Sequence, residues 1–155
     1  MKQIIEIPDG NKTVWKDVKE RVKTFDDAVV VLGNDNQAVI DYYAISGTTC
    51  AKDILAFAKL RVIAEALNEG WKPTFDDKEY RYYTWFYIYT EAEYDELNED
   101  EKKECHVAGP VYMKVDYVTS HSYPFHNSRI ALKTTELAKH CGKQFIDIWA
   151  DFLFS

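Results

Sequence analysis

The sequence predicts an α+β fold, in which helices cover one face of a small antiparallel sheet. Two observations lead to this prediction. Apolar residues recur at helical spacing over residues 51–68 and 134–152. Between these two helices lie three segments with the composition and alternation of β-strands, over residues 80–90, 111–119 and 127–132.

The chain has 155 residues, which is near the usual size of one domain, so residues 1–155 are predicted to form a single domain. Its hydrophobic content of 46% and aromatic content of 15% exclude an intrinsically disordered protein. No internal repeat or low-complexity linker divides it.

The first 50 residues have the least regular pattern. Thr24 and Asp27 have the spacing of a capping box and predict that a helix begins there, although the valines that follow also favour a strand. The candidate elements are a short strand over residues 3–7, a helix over 14–23, a helix or strand over 25–32, and a helix or strand over 38–45.

The helix over residues 51–68 carries apolar side chains on more than half of its circumference. Such a helix usually packs on more than one side, so it is predicted to be central. Arg61 and Glu65 lie four residues apart on its polar side and are expected to form an exposed ion pair.

The aromatic segment over residues 80–90 is apolar on both alternating faces, which predicts a strand covered on each side. Residues 111–119 alternate cleanly between apolar and polar, as in a half-buried strand, and 127–132 supply a third strand. The helix over 134–152 has an apolar stripe, and Gly142 within it is expected to permit close packing.

The net charge of −7 is unevenly distributed. Residues 91–104 hold eight acids and two bases, a charge of −6, so the remaining 141 residues carry only −1. This segment is predicted to be an acidic insertion that forms a short surface helix or a loop, with Thr90 and Glu93 as a capping box. This acidic segment is interpreted either as a solvated face or as a mimic of nucleic-acid phosphate. In the mimic, the acidic surface consists of Glu96, Glu99, Asp100 and Glu101.

Charge and composition also restrict the partners. A net acidic chain does not favour nucleic acid, although the nearly neutral body weakens this argument. No apolar run approaches the length of a membrane span, and no secretory signal is visible, so no membrane partner is expected. Three widely spaced cysteines without a CxxC pair indicate free thiols in a reducing, cytoplasmic setting.

The sequence contains no motif of a known catalytic or cofactor site, so a non-enzymatic protein without metal or cofactor is favoured. His121, His126 and Cys105 could meet across a turn to bind zinc, but surface histidines are the preferred interpretation. A hydrolase or transferase of unrecognised type, using Arg129, His126 and Glu65, is a further alternative.

Two separated stretches, EALNEGWKP with the aromatic RYYTWF, and SRIALK with GKQF, occur over about residues 52–90 and 126–153. Together they resemble a group of small uncharacterised proteins from gut-bacterial genomes, phages and mobile elements. The resemblance implies a phage or mobile-element origin and a cytoplasmic setting, and it implies no activity. The first 50 residues and the acidic insertion lie outside it.

These stretches contain an aromatic and basic set, namely Trp71, Lys72, Tyr82, Trp85, Tyr87, Arg129 and Lys133. If the strands that carry them are neighbours, Arg129 lies beside exposed rings, a surface that suits a nucleobase, a phosphate or a peptide. Alternatively the rings fill the core and Arg129 pairs with an acid such as Glu65. The leading hypothesis is an accessory binding protein whose partner is a host protein or a small nucleotide-like ligand.

Overall fold

Helices pack against a three-stranded antiparallel sheet in the computed structural model, which describes residues 16–74, 79–120 and 128–155. The α+β class is therefore confirmed. The predicted strand over residues 3–7 and the first two positions of the predicted helix over 14–23 lie outside the described residues. Within the described ranges, no helix is both long enough and apolar enough to cross a membrane.

Helices occupy most of residues 18–68. The helix over residues 25–32 begins with the predicted capping box, since the Asp27 amide donates to the Thr24 hydroxyl at 3.1 Å and the Thr24 amide to the Asp27 carboxylate at 2.8 Å. The helices are α1 (Val18–Arg21), α2 (Phe25–Leu32), α3 (Gln37–Ser46) and α4 (Lys52–Asn68). Both segments that fitted a helix or a strand, residues 25–32 and 38–45, are thus helical.

Helix α4 is central, as its composition predicted. Leu60, Ile63 and Leu67 have no exposed surface, and α4 packs against both α2 and α3. After Asn68 the chain turns through Glu69 and Gly70, whose φ angles are 49° and 89°. The left-handed backbone of these two residues stops the helix and redirects the chain.

The sheet has the order β1-β3-β2 and consists of β1 (Arg81–Tyr89), β2 (Cys105–Ala108) and β3 (Val111–Ser120). The third strand is therefore not at residues 127–132. Ser128–Ile130 forms a 3-10 turn, and only Leu132 joins the sheet, through one bridge to Tyr82. The two-residue turn Gly109-Pro110 folds β2 directly back on β3, and such a local hairpin closes with little loss of chain entropy.

The acidic insertion forms two short helices between β1 and β2, α5 (Glu91–Glu96) and α6 (Glu99–Lys103). Each begins with a capping box, from Thr90 and Glu93 as predicted and from Asn98 and Glu101. The Tyr94 ring of α5 stacks on Tyr112 of β3, with 3.8 Å between centroids. The insertion is therefore fixed to the sheet rather than a free loop.

The predicted single helix over residues 134–152 is divided into α7 (Thr135–Gln144) and α8 (Ile146–Phe154). The break is at Phe145, whose φ and ψ of −116° and 32° are not helical. The break lets α7 pack on β1 and β3 while α8 turns onto α4. Phe145 itself is buried at this junction.

Helix α7 also binds the beginning of the described chain. The His140 Nε2 atom lies 3.0 Å from the carbonyl oxygen of Val22, and the Gln144 side-chain amide donates to the carbonyl of Lys23 at 2.8 Å. Leu137, Ala138 and Cys141 of α7 belong to the same buried core as α4.

The two faces of the sheet differ. Tyr82, Thr84 and Phe86 point toward the helices, and the Thr84 hydroxyl donates to the carbonyl of Ala138 at 2.9 Å. Because side chains alternate along a strand, Trp85 and Tyr87 lie on the outer face. Each of these two rings is 49% exposed.

Cys141 lies in the core between α7 and the sheet. Burial raises the pKa of its thiol from the ordinary 9.0 to about 12, although contacts with Trp149 and Thr84 oppose the rise. Above its ordinary pKa the thiol ionises in the unfolded chain but keeps its proton in the folded one. We therefore expect Cys141 to lower the free energy of unfolding as pH rises from 9.0 toward about 12.

Denaturant unfolding of the wild type and Cys141→Ala below and above this ordinary pKa measures the effect, since the variant lacks this component of the pH dependence. Alkylation of the folded protein is the companion measurement, with the half-buried Cys50 as the reactive control. Equal labelling of Cys50 and Cys141 in the folded state would contradict the assignment.

Candidate functional site

A cleft of about 520 Å³ opens beside the C-terminal half of α4. Its walls are α4, the segment that follows Gly70, and the 3-10 turn of residues 128–130. We call it the Trp71 cleft; the residues that characterise it are Arg61, Glu65, Asn68, Trp71, Lys72 and Arg129. Three members of the predicted aromatic and basic set, Trp71, Lys72 and Arg129, thus lie around one cavity.

Asn68 fixes the wall that carries Arg129. Its side-chain amide donates to the carbonyl of Ala131 at 2.8 Å, and its side-chain oxygen accepts from the Lys133 amide at 3.1 Å. Asn68 is buried, and its bond to the Ala131 carbonyl forms out of contact with water. The end of α4 therefore sets the position of the chain on either side of Leu132.

Trp71 is held at the opposite wall by its ring nitrogen. The Trp71 Nε1 atom donates to the Glu79 carboxylate at 2.7 Å, and its backbone amide donates to the carbonyl of Asn68 at 3.0 Å. Glu79 also accepts from the amide of Thr74, at 2.8 Å. The ring-nitrogen bond restricts the indole orientation and the amide bond restricts the backbone that carries it, which reduces the entropy lost when a ligand orders the ring.

The carboxylates near the cleft already have partners. Arg61 pairs with Asp41 at 2.7 Å, so the expected pair of Arg61 with Glu65 is wrong. Glu65 instead accepts from the Asn36 side-chain amide at 2.8 Å. The geometry explains the difference, because α3 places Asp41 opposite Arg61.

The charge of Arg129 also affects the pKa of Asp41. A hydrogen bond from Gln37 and then one from Arg61 hold the pKa of Asp41 below its ordinary 3.8, and the charge of Arg129 acts in the same direction. Arg129 is exposed, and neither it nor Lys72 forms an ion pair within 4.0 Å with any described residue. The alternative in which Arg129 pairs with Glu65 is therefore not observed.

The cleft combines a fixed indole with two cations that have no acidic partner among the described residues. An indole presents a flat, polarisable surface to a planar ring, and guanidinium and ammonium groups bind phosphate or carboxylate. These groups suit a small anion that carries a planar ring.

The other members of the aromatic and basic set lie elsewhere. Tyr82 packs toward the helices beside Tyr117, with 6.2 Å between ring centroids. Trp85 and Tyr87 are on the outer face of the sheet and do not line the cleft. The set is thus divided among the cleft, the inner face, the outer face and a second cavity that contains Lys133.

Lys133 lies in a neighbouring cavity of about 480 Å³ with Arg21 and Glu69. Its ammonium nitrogen is 3.4 Å from the Glu69 carboxylate and 3.3 Å from the carbonyl of Asn68. Arg21 also binds the Glu69 carboxylate. Glu69 thus stands between the two cations of this cavity.

The four acids predicted for the acidic surface lie on α5 and α6. The side chains of Glu99 and Asp100 are largely exposed, while the Glu101 carboxylate accepts from the Asn98 amide at 3.2 Å as a helix cap. Lys103 pairs with Asp100 at 2.9 Å and Lys102 lies 4.0 Å from Glu99. The function of this surface stays a prediction.

The groups considered for catalysis or metal binding are only partly described. His121 and His126 lie outside the described residues, so the zinc arrangement and the three-residue hydrolytic arrangement stay predictions. Across residues 16–74, 79–120 and 128–155, no three His, Cys, Asp or Glu side chains come together in a way that could hold a metal ion.

Sequence reasoning did not identify two residues that shape the cleft. Neither Asn68 nor Asp41 is among the candidate residues that the sequence predicts. A polar residue in the last turn of a largely apolar helix is the one signal that could have identified Asn68.

The predicted phage or mobile-element origin depends on the resemblance of two stretches of sequence, and it stays a prediction. The accessory role that follows from that origin also stays a prediction. No protein-family model, no curated protein and no solved structure matches this chain.

Proposed function

We propose that the protein binds a small anionic ligand with a planar ring, of the nucleotide class, in the Trp71 cleft. The observation that supports this most directly is the fixed Trp71 indole with Arg129 and Lys72 nearby, two exposed cations that form no ion pair within the described residues. In the proposed complex the ring lies against Trp71 and the phosphates contact the two cations.

A binding role agrees with the lack of a recognisable catalytic motif in the sequence. The resemblance to proteins of phages and mobile elements leads us to propose that this binding serves an accessory role there, in the cytoplasm. The nucleotide class is preferred over a host protein as partner because the cleft is concave and has room for a small molecule.

The test is a calorimetric titration of the protein with nucleoside mono-, di- and triphosphates, with a free nucleoside and with tripolyphosphate. We expect a nucleotide to bind more tightly than either of its separate parts. Replacing Arg129 with Gln should weaken that binding about tenfold or more, because a hydrogen bond to a charged group is removed.

Lys143→Gln is the matched control, since Lys143 is an exposed cation on α7 that does not line the cleft. It removes the same charge and should leave the affinity unchanged. The proposal fails if no nucleotide binds, if tripolyphosphate binds as tightly as the triphosphates, or if both variants weaken binding equally.

A further inference from the structure

The outer edge of β1 has an unused set of backbone groups. The Tyr82 amide donates to the carbonyl of Leu132 at 3.0 Å, and the Leu132 amide donates back at 2.8 Å. Both Tyr82 groups therefore point away from β3, which pairs with the other side of β1. Because backbone groups alternate in direction along a strand, those of Thr84, Phe86 and Ile88 also point outward.

Over residues 84–88 this outer edge pairs with no segment of the ranges 16–74, 79–120 and 128–155. Among the described residues, no backbone or side-chain group bonds to the outward amides and carbonyls of Thr84, Phe86 and Ile88. Three donors and three acceptors at one edge of the sheet thus have no partner within the described part of the chain. The opposite edge strand, β2, has only four residues.

This edge lacks the residues that usually protect a solvent-exposed edge strand from pairing with another chain. Natural edge strands are commonly protected by charged side chains, prolines or bulges. From Tyr82 to Thr90 the chain has no charged residue and no proline, and its pairing with β3 is continuous. Trp85, Tyr87 and Ile88 are about half exposed.

We propose that β1 pairs with β1 of a second copy of this chain, about a two-fold axis at Phe86, to form a continuous six-stranded sheet. In an antiparallel pair centred on Phe86, Thr84 lies opposite Ile88 of the other copy. Each copy supplies three donors and three acceptors, so six hydrogen bonds form and every outward group of Thr84, Phe86 and Ile88 is used.

The same register pairs the exposed rings. Trp85 lies opposite Tyr87 of the other copy on the outer face, in a non-hydrogen-bonded pair, where side chains approach most closely. The two-fold axis creates this aromatic contact twice. Such cross-strand aromatic pairs stabilise a sheet, and they bury the surface that the single copy exposes.

Charge and chain path are compatible with self-pairing. The paired segment contains no charge, so two copies of an acidic protein meet here without like charges in contact. Pairing ends at Thr84 because Leu132 already occupies the edge at Tyr82, and at the other end the chain leaves the strand at Thr90 to begin α5.

Sedimentation of the wild-type protein over a range of concentrations tests the dimer, and amide hydrogen exchange tests its location. We expect a monomer–dimer equilibrium in which the amides of Thr84, Phe86 and Ile88 become protected as the dimer forms. A wild-type protein that stays monomeric up to its solubility limit overturns the proposal, as does a dimer in which these amides exchange as fast as in the monomer.

A charge pair tests the register. Trp85→Lys/Tyr87→Lys places like charges opposite each other twice and should weaken dimerisation about tenfold or more. Trp85→Lys/Tyr87→Glu places opposite charges there and should retain dimerisation. Equal dimerisation of the two variants overturns the register, and the exchange measurement on the wild type decides the proposal if either variant does not fold.

Discussion

Replacing Asn68 with alanine is expected to lower the free energy of unfolding by about 2 to 4 kcal/mol. The Asn68 side chain satisfies the carbonyl of Ala131 and the amide of Lys133. Ala131 is buried, so loss of the side chain leaves a polar group without a partner out of reach of water. Urea unfolding followed by circular dichroism measures the loss.

The same substitution should also weaken ligand binding in the Trp71 cleft, because Arg129 is on the segment that Asn68 holds in place. Asn34→Ala is the control, since Asn34 is exposed in the turn between α2 and α3. Its unfolding free energy should stay within about 0.5 kcal/mol of the wild type. An Asn68→Ala protein as stable as the control would show that the two hydrogen bonds contribute little.

Replacing Gly142 with alanine is expected to destabilise the protein although alanine favours a helix. A Cβ atom at this position would lie 2.5 Å from Val115 Cγ1 and 2.7 Å from Thr84 Cγ2. Both neighbours are β-branched and stiff, and the Thr84 hydroxyl is bonded to Ala138. Overpacking costs about 1 to 3 kcal/mol and the higher helix propensity of alanine offsets about 1 kcal/mol of that, so we expect a net loss of up to about 2 kcal/mol.

Gly47→Ala provides the comparison for this result. A Cβ atom at Gly47 has no neighbour within 4 Å, and its φ of −87° suits any residue. That substitution should stabilise the protein by roughly 0.5 kcal/mol through the unfolded chain. Thermal unfolding of both variants measures the difference, and a stabilised Gly142→Ala protein would mean that α7 can move away from the sheet without cost.

The elements that were predicted correctly have signals in the local sequence. The start of α2 is encoded in the spacing of Thr24 and Asp27, and α4 is encoded in its own apolar surface. Gly142 was expected to permit close packing, and the Cβ distances to β1 and β3 confirm it. Each signal lies within a few residues of the element that it describes.

The elements that sequence missed depend on distant contacts. The segment over residues 105–108 is short and of mixed polarity. It forms a strand because the turn at Gly109 folds it onto β3. The helix break at Phe145 has no proline or glycine, and the apolar stripe continues through it. In the cleft, residue type identified Trp71, Lys72 and Arg129, but the grouping with Trp85 and Tyr87 assumed a strand at 127–132.

The hydrogen bonds from His140 and Gln144 to Val22 and Lys23 have a consequence for protein synthesis. Helices α1 to α4 leave the ribosome before α7 and α8, which supply core residues that cover them. The nascent chain therefore carries an uncovered apolar surface on α1 to α4 until α7 and α8 have emerged, and this core is completed only then. Chaperones that bind apolar nascent segments would have their main opportunity in that interval.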